Sequence, residues 1–275
     1  MQDLRQSHRV DPADIPVVIL CGGMGTRLRE ASEKLPKPLV DVGGKPILWH
    51  IMKTYGHFGF RRFVLCLGYK GDQIRRYFLD YREHQNDFTL DLGAGAAPRF
   101  HKRGQVEDWE ITFVETGLLT GTGGRIRRVA DQIDTDHFLL TYGDGIGAVD
   151  IPALFAQHLA SGKLGTVTGV HPNSRYGEMH VEGAEVQEFN EKPTLAAGWV
   201  SGGFFAFNRL MIDKYLDDDP ELLLEKKPLQ TMATDGELGV FCHEDFWMGM
   251  DTFRDWTELN ALWDSGRPPW KVWQD

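Results

Sequence analysis

The chain has 275 residues, of which 41% are hydrophobic, and its formal net charge at pH 7 is −10. This length and apolar content suit one large α/β domain and exclude a disordered chain. The excess of acidic residues argues against non-specific nucleic-acid binding, so we predict no nucleic-acid partner. No apolar run approaches the roughly 18–20 residues that a membrane span needs, so we predict no membrane association.

The polar segment 1–15 lacks the apolar stretch of a secretion signal, and we predict that it forms an extension outside the main domain. Three cysteines, Cys21, Cys66 and Cys242, are far apart and lie in or beside strand-like apolar runs. Widely spaced thiols buried in strands predict reduced cysteines and a cytoplasmic location.

Apolar runs typical of strands alternate with helical patterns through the first half of the chain. The predicted strands are 17–21, 63–67, 111–114 and 138–142, and helices are predicted from 47 onwards, over 72–81 and over 123–132. Such alternation is typical of parallel βαβ units. We therefore predict an α/β fold with an open, mostly parallel, Rossmann-like sheet and helices on both faces.

Short strand patterns dominate the second half of the chain. They lie at 165–170, 179–181, 186–189, 203–207 and 239–242, the last between two helical stretches. We predict that they extend the same sheet with mixed strand directions. The turn-rich segment 93–104 predicts a hairpin or an oligomer contact.

A glycine-rich segment, 22–25, follows the first predicted strand directly. Glycines at the carboxyl end of a strand free backbone N–H groups to bind an anion, although a tight strand-to-helix turn would also need them. A dinucleotide fingerprint would require glycine at Leu28, and a P-loop would require a GK[ST] sequence; both are missing. Instead Arg27 follows the glycines, and Lys37 lies between two prolines.

The segments 22–28, 36–38 and 43–52 together resemble the nucleotide-diphosphosugar pyrophosphorylases, and glucose-1-phosphate cytidylyltransferases in particular. The resemblance runs from about residue 16 to the C-terminal Trp273. It implies an enzyme that transfers a nucleotidyl group, with CTP favoured, to a sugar-1-phosphate and releases pyrophosphate. It also implies Mg²⁺ as cofactor and a homo-oligomeric assembly.

The nucleotide side of the site is also implied by the resemblance. The glycine loop wraps the nucleotide, and Arg27 and Lys37, with Lys192 on the sugar side, are the predicted catalytic cations. The segment 122–125 matches the family's base-binding segment; on its own it also reads as a helix start capped by Thr122. The implied nucleotide-binding residues are Leu20, Gly22, Gly23, Gly25, Thr26, Arg27, Lys37, Thr122, Gly123 and Arg125.

Two aspartates are the candidate metal ligands. Asp144 lies between two glycines at the end of a predicted strand, and Asp251 lies far along the chain in an aromatic segment. A Gly-Asp-Gly sequence can be a simple turn, but Mg²⁺ is commonly held by one or two carboxylates together with substrate phosphates. A glycosyltransferase DxD motif is missing. In the resembled family both corresponding aspartates bind the metal, so the resemblance implies the same role here.

Eight residues are implied on the sugar-phosphate side: Tyr142, Gly143, Tyr176, Gly177, Glu191, Lys192, Ser201 and Gly202. Glu191 would accept hydrogen bonds from sugar hydroxyls and Lys192 would balance the phosphate, although the pair can also be an exposed charged turn. Ser201 stands where glucose-1-phosphate cytidylyltransferases have asparagine, which both donates and accepts. The candidate acceptors therefore include, besides glucose-1-phosphate, the phosphates of a heptose, a modified hexose or a carbasugar.

We predict one nucleotidyltransferase domain over 16–275, in which 16–150 mainly binds the nucleotide and 151–275 mainly binds the sugar phosphate. Two alternatives stay open. The same chemistry could use UTP, dTTP or GTP, or the chain could be a nucleotide-sugar-binding regulator without turnover. The joint presence of both candidate metal ligands and three catalytic cations argues against a regulator, because a sensor does not need them.

Overall fold

A computed structural model of the protein describes residues 10–24, 35–93, 95, 97–101, 106–171, 178–182, 185–190 and 198–274. Within these residues the strands are β1 (Pro16–Leu20), β2 (Asp41–Val42), β3 (Lys45–Pro46), β4 (Arg62–Leu67), β5 (Phe88–Thr89), β6 (Arg99–Phe100), β7 (Glu110–Glu115), β8 (His137–Tyr142), β9 (Gly145–Gly147), β10 (Gly165–Val170), β11 (Glu178–Glu182), β12 (Glu185–Asn190), β13 (Val200–Asn208), β14 (Leu238–His243) and β15 (Trp247–Gly249). The helices are α1 (Ile47–His57), α2 (Gly71–Leu79), α3 (Tyr81–Gln85), α4 (Thr122–Arg128), α5 (Ile151–Ser161), α6 (Leu210–Tyr215), α7 (Lys227–Thr234) and α8 (Phe253–Asp264).

Seven strands form the main sheet, in the order β14-β10-β13-β8-β1-β4-β7. Four neighbouring pairs are parallel, and β13 is the one antiparallel strand among the seven, because it runs opposite to both β8 and β10. The carboxyl ends of β1, β4 and β8 and the amino end of β13 therefore meet at one edge of the sheet. Ligands bind in the crevice at this edge in open α/β sheets.

Strand β1 is buried along its whole length, because both faces of the sheet are covered. Val17 and Ile19 face one hydrophobic cluster, which includes residues of α1, α5 and α8, while Val18 and Leu20 face a second cluster with residues of α4, α6 and α7. A strand covered on both faces reads as a continuous apolar run. The predicted fold class, a mostly parallel sheet with helices on both faces, is confirmed.

The prediction that the strands near 179–181 and 186–189 extend the main sheet is wrong, because β11 and β12 pair with each other in a separate two-stranded sheet. Of the segment 93–104, residues 93, 95 and 97–101 are described, and they include β6, which pairs with β5 so that Phe100 lies opposite Phe88. Helix α4 is shorter than predicted and is followed by a 3-10 turn at Ala130–Gln132. No helix in the described ranges is long and apolar enough to cross a membrane.

All three cysteines are free thiols, as predicted. Cys21 and Cys66 are buried, but Cys242 is exposed, so its predicted burial is wrong. The reason is topological: β14 is the edge strand of the main sheet, and one of its faces remains open.

Candidate active site

A lysine held between two aspartates marks the carboxyl edge of the sheet. The ammonium of Lys37 donates to Oδ2 of Asp144 at 2.7 Å and to Oδ1 of Asp251 at 2.8 Å. Lys37 lies in a 3-10 turn, Lys37–Leu39, flanked by Pro36 and containing Pro38. Since proline fixes its own φ angle, the two prolines restrict the backbone around the lysine.

The two aspartates are far apart in sequence and are brought together by a small antiparallel ladder. Strand β9, which follows Asp144, pairs with β15, which precedes Asp251, so that Gly145 lies opposite Gly249. The amide of Met250 donates to the carbonyl of Asp144 at 2.8 Å and extends this pairing to the site itself. Backbone hydrogen bonds thereby fix the positions of Asp144 and Asp251 relative to each other.

The start of helix α8 fixes the backbone of Asp251. Asp255 and Thr252 form a reciprocal capping box, in which each side chain accepts from the other's backbone amide. The carboxylate of Asp255 also accepts from the amide of Asp251 at 3.0 Å. Asp255 therefore positions a candidate metal ligand without pointing into the site itself.

The charges at this point favour a cation. Burial lowers the pKa of Lys37, but attraction by Asp144 and the hydrogen bonds to both aspartates outweigh it, so the pKa of the lysine is raised. One ammonium faces two carboxylates, which leaves a net negative charge. Among the described residues no cluster of three acidic, histidine or cysteine side chains is available to bind a metal. Two convergent carboxylates do fit Mg²⁺, which takes its remaining ligands from substrate phosphates and water.

A cavity of about 270 Å³ opens beside this lysine. It lies between the turn after β1, the end of β8 and the start of α4. Its lining residues are Leu20, Cys21, Gly22, Gly23, Lys37, Pro38, Thr120, Gly121, Thr122, Arg125, Tyr142, Gly143, Asp144 and Leu223. The cavity thus has a charged end at Lys37 and Asp144 and a hydroxyl-rich wall formed by Thr120, Thr122 and Tyr142.

Arg125 joins three loops at the bottom of this cavity. It is only 4% exposed, and its terminal nitrogens are surrounded by oxygen atoms of the loops rather than by carboxylates. The acceptors are the carbonyls of Gly22 (3.1 Å), Leu67 (3.0 Å), Gly117 (2.8 Å) and Leu118 (3.3 Å) and the hydroxyl of Thr116 (2.7 Å). Burial lowers the pKa of Arg125, yet a guanidinium stays charged at neutral pH.

The close approach of Arg125 explains two glycines. A Cβ atom on Gly22 would lie 2.1 Å from Nη1 of Arg125, and one on Gly68 would lie 2.7 Å from the same atom. Neither position has room for a side chain. Gly22 is therefore required by the packing of the arginine, in addition to any contact with a ligand.

The start of helix α4 differs from the sequence-based interpretation, in which Thr122 caps the helix. The N-cap residue is Gly121 and not Thr122, whose hydroxyl donates instead to Oε2 of Glu225 at 2.6 Å. The amides of Gly121 and Gly123 donate to the carbonyls of Pro220 (2.7 Å) and Leu222 (2.9 Å). These two amides are thus bonded to a crossing chain segment, and the interpretation of Thr122 as the helix cap is wrong.

Comparison with known proteins agrees with this geometry. The sequence profile of the family described as "Nucleotidyl transferase" matches residues 16–265. The chain belongs to the nucleotidyl transferase family. It is 45% identical over 256 residues to a probable glucose-1-phosphate cytidylyltransferase of Bacillus subtilis, covering 93% of this chain and 99% of the relative. The glucose-1-phosphate cytidylyltransferase of Salmonella typhi is likewise 45% identical, over 94% of this chain and 99% of its own length.

Two solved structures share the fold. HddC from Yersinia pseudotuberculosis superposes with a TM-score of 0.66 at 23% identity, covering 90% of this chain and 99% of HddC. A putative glucose-1-phosphate thymidylyltransferase from Bacillus anthracis gives a TM-score of 0.66 at 16% identity, over 90% of this chain and 94% of its own. The predicted resemblance to sugar-1-phosphate nucleotidyltransferases, and to the glucose-1-phosphate cytidylyltransferases, is confirmed.

Most predicted nucleotide-side residues of this nucleotidyltransferase lie around the cavity beside Lys37. Leu20, Gly22, Gly23, Lys37, Thr122 and Arg125 line it, and Gly123 is buried next to them against Leu222. The predicted Gly25, Thr26 and Arg27 lie outside the described residues. The two candidate metal ligands, Asp144 and Asp251, meet at Lys37.

The predicted sugar-phosphate side is described only in part. Tyr142 and Gly143 line the cavity, whereas Tyr176, Gly177, Glu191 and Lys192 lie outside the described residues. Ser201 is exposed at the start of β13, and the carbonyl of Gly202 accepts from Nε1 of Trp247 at 2.7 Å.

The next residue, Gly203, adopts a φ of +77°, and a Cβ there would lie 2.5 Å from the Tyr142 ring. Its glycine is therefore required both by the backbone conformation and by the contact with this tyrosine.

Sequence reasoning missed several residues of the cavity region, among them Thr120, Leu223, Arg128 and Glu225. Thr120 and Leu223 line the cavity, Arg128 donates to Oγ1 of Thr120 at 2.9 Å, and Glu225 accepts from Thr122 and from the hydroxyl of Tyr142. Leu223 and Glu225 lie about a hundred residues from α4, in an unpatterned segment between two helices. The neighbouring TGGR sequence was the one available signal, because its glycines predict that another backbone packs closely against them.

Proposed function

We propose that this protein transfers the cytidylyl group of CTP to a sugar-1-phosphate, giving a CDP-sugar and pyrophosphate. The observation that carries the proposal is the convergence of Lys37, Asp144 and Asp251 at the charged end of the cavity. The 45% identity to glucose-1-phosphate cytidylyltransferases over almost the whole of both chains supports CTP as the nucleotide.

The chemistry requires positioning and charge neutralisation. An oxygen of the sugar phosphate attacks the α-phosphorus of CTP, and the bond from that phosphorus to the bridging oxygen of the pyrophosphate breaks. The attacking phosphate is already ionised at neutral pH, so a general base is unnecessary. In this proposal Lys37 neutralises charge that develops on the α-phosphate, which is the main catalytic contribution expected of such a site.

Asp144 and Asp251 would hold Mg²⁺. When bound, the ion neutralises phosphate charge and aligns the reacting oxygens. Both side chains are part-exposed, at 37% and 43%, so they are accessible to a hydrated ion arriving with the nucleotide. Asp255 would keep Asp251 in place through its backbone amide.

The roles of Arg27 and Lys192 as further catalytic cations, and of Tyr176, Gly177 and Glu191 on the sugar side, remain predictions from the resemblance. So do the division into a nucleotide half and a sugar half and the separate extension at 1–15. We also propose a cytoplasmic location, supported by three free thiols.

We propose a homo-oligomer. Its support is a run of exposed large apolar side chains in the sequence from the end of α2 to the turn after β5: Leu79, Phe88, Leu90 and Leu92. Leu92 is 86% exposed, and an exposed apolar surface larger than single side chains marks an interaction site. Light scattering tests this proposal, and elution at the monomer mass would contradict it.

The decisive experiment measures pyrophosphate release with Mg²⁺ and CTP. It is run with glucose-1-phosphate and with a panel of other sugar-1-phosphates, because Ser201 departs from the asparagine of the glucose-type pattern. Turnover of any of them supports the proposal, and the best acceptor identifies the sugar. No release from CTP with any acceptor, but release from UTP, dTTP or GTP, would reassign the nucleotide. Binding of CTP without turnover would favour a regulator.

A further inference from the structure

The ladder of β9 and β15, which brings the two candidate metal ligands together, has one face made mostly of glycine. Gly147 lies opposite Trp247, and Gly145 lies opposite Gly249. Directly opposed residues of an antiparallel pair share a face, and so do alternate residues along a strand. This face therefore consists of three glycines and Trp247, which supplies its one large side chain.

The indole of Trp247 lies across two of these glycines. A Cβ on Gly145 would lie 3.8 Å from Nε1 of the indole, and one on Gly249 would lie 3.7 Å from its Cη2. The same Cβ position of Gly249 is 3.8 Å from Oδ2 of Asp251. Because Gly145 follows Asp144 directly, the ring extends from the neighbour of one candidate metal ligand towards the other.

The two faces of the ladder are attached to the rest of the molecule in different ways. On the face opposite the glycines, Ile146 and Met248 are buried in the hydrophobic cluster that also contains residues of α1 and α8. On the glycine face, Nε1 of Trp247 donates to the carbonyl of Gly202 in β13 at 2.7 Å. Since β9 and β15 form a two-stranded sheet of their own, this hydrogen bond connects that sheet to the main one.

The contacts of Trp247 lead back to Asp144 through the main sheet. Gly202 is followed by Gly203, where a Cβ would lie 2.5 Å from the ring of Tyr142. Tyr142 ends β8, two residues before Asp144. The ladder, the start of β13 and the end of β8 thus form a closed series of contacts. A displacement of the ladder away from β13 must break the indole hydrogen bond.

We propose that Trp247 is a positioning residue for the metal: its indole N–H holds the ladder against the start of β13 and so keeps Asp144 and Asp251 where they can share one divalent cation. The inference rests on the proposed function, in which these two aspartates hold Mg²⁺. It assigns Trp247 no contact with the ion or with the reacting atoms. Loss of a direct partner of a metal ligand typically costs about 10- to 100-fold in metal affinity. Trp247 acts one step further away, through the backbone, so its effect should be smaller.

The test measures how Mg²⁺ stabilises wild type and Trp247→Phe against heat. Phenylalanine keeps an aromatic ring over the glycines but cannot donate to Gly202. Melting temperatures are recorded at about pH 8 with a fixed concentration of CTP, without acceptor, while Mg²⁺ is raised. We expect the Mg²⁺ concentration that gives half of the rise to be at least about threefold higher in the variant. A purely structural role would lower the melting temperature without Mg²⁺ and leave this midpoint unchanged.

Two further variants separate the N–H group from the bulk of the ring. Trp256→Phe is the matched control, because the indole N–H of Trp256 also donates to a backbone carbonyl at 2.7 Å, that of Asp41. It should keep the wild-type midpoint. Trp247→His retains a five-membered ring whose Nε2 can replace the indole Nε1 as donor, and it is neutral at this pH. Its midpoint should stay within about twofold of wild type.

A folded Trp247→Phe protein with the wild-type midpoint would overturn the inference. If that variant is unstable, Trp247→His decides, because a midpoint raised threefold or more would contradict the role of the N–H group. Asp251→Asn, measured in parallel, should lose the Mg²⁺-dependent rise. A wild-type response in Asp251→Asn would overturn the metal assignment and this inference with it. A lost response there, with unchanged midpoints in both Trp247 variants, would leave the proposed function standing and refute the role of Trp247 alone.

Discussion

Replacing Lys37 with methionine tests the charged end of the site. The side chain is 11% exposed and its ammonium bonds to both candidate metal ligands. Methionine keeps the apolar length of the side chain and removes the charge. Loss of one preorganised charge donor typically costs 10²- to 10³-fold in kcat, about 3–4 kcal/mol in the transition state. We expect a fall in turnover of at least about 100-fold.

Lys37→Met should also lower the free energy of unfolding. It leaves Asp144 and Asp251 next to each other without their shared cation. Removing one partner of a fully buried pair costs about 3–5 kcal/mol, but both aspartates are part-exposed, so about 1–3 kcal/mol is the appropriate range. In a chain of this size, each kcal/mol lowers the melting temperature by about 2–4 °C. Mg²⁺ should restore much of this loss, because it can take the position between the two carboxylates.

Pyrophosphate release gives the turnover, and thermal unfolding with and without Mg²⁺ gives the stability. The control is Lys53→Met, because Lys53 is also part-buried and paired, with Glu107 at 2.6 Å, but lies outside the cavity. Lys53→Met should retain wild-type turnover, and Mg²⁺ should stabilise it no more than it stabilises the wild type. Near-normal turnover of Lys37→Met would refute the catalytic role. Equal stabilisation of wild type and Lys37→Met by Mg²⁺ would refute the shared position of lysine and metal.

Three further outcomes follow from individual contacts. Gly22→Ala should lower the melting temperature by several degrees by displacing Arg125, whereas Gly23→Ala, with no atom within 4 Å of a built Cβ, should not. Burial lowers the pKa of His50 to about 4, so the folded state binds fewer protons than the unfolded state below pH 6.5. Urea unfolding should therefore show less loss of stability between pH 6.5 and 4 in His50→Gln than in wild type. Ser201→Asn should raise kcat/KM for glucose-1-phosphate about tenfold, because the amide both donates and accepts; no change would remove Ser201 from sugar selection.

The sheet was predictable because its strands carry strong local signals. Val17 to Leu20 form an apolar run that is typical of a strand covered on both faces, and the structure buries every residue of β1. The direction of β13 had no such signal, since periodicity reports which faces are buried and not which way a strand runs. The ladder of β9 and β15 was equally inaccessible, because three-residue strands are too short to show a period.

The site was predictable where motif and chemistry coincide. Lys37, Asp144 and Asp251 were identified from separate segments, and the structure places them within one set of hydrogen bonds. Glu225 could not be found this way, because an exposed glutamate before two lysines is an ordinary surface sequence. Its importance depends on a crossing between segment 219–225 and the start of α4, which is a tertiary contact without a sequence pattern.

Among the described residues, two cations line the cavity, Lys37 and Arg125. They differ in the kind of acceptor that surrounds them, and this difference separates their roles. The acceptors of Arg125 are mainly backbone carbonyls of loops, which cannot leave without unfolding the wall of the cavity. The acceptors of Lys37 are two side-chain carboxylates that are themselves suited to a divalent ion. Lys37 can therefore exchange these partners for phosphate oxygens when a metal arrives with the nucleotide, while Arg125 stays in place. In the proposed reaction the buried arginine, held by carbonyls, would keep the site in shape, and the lysine, held by the two candidate metal ligands, would change partners.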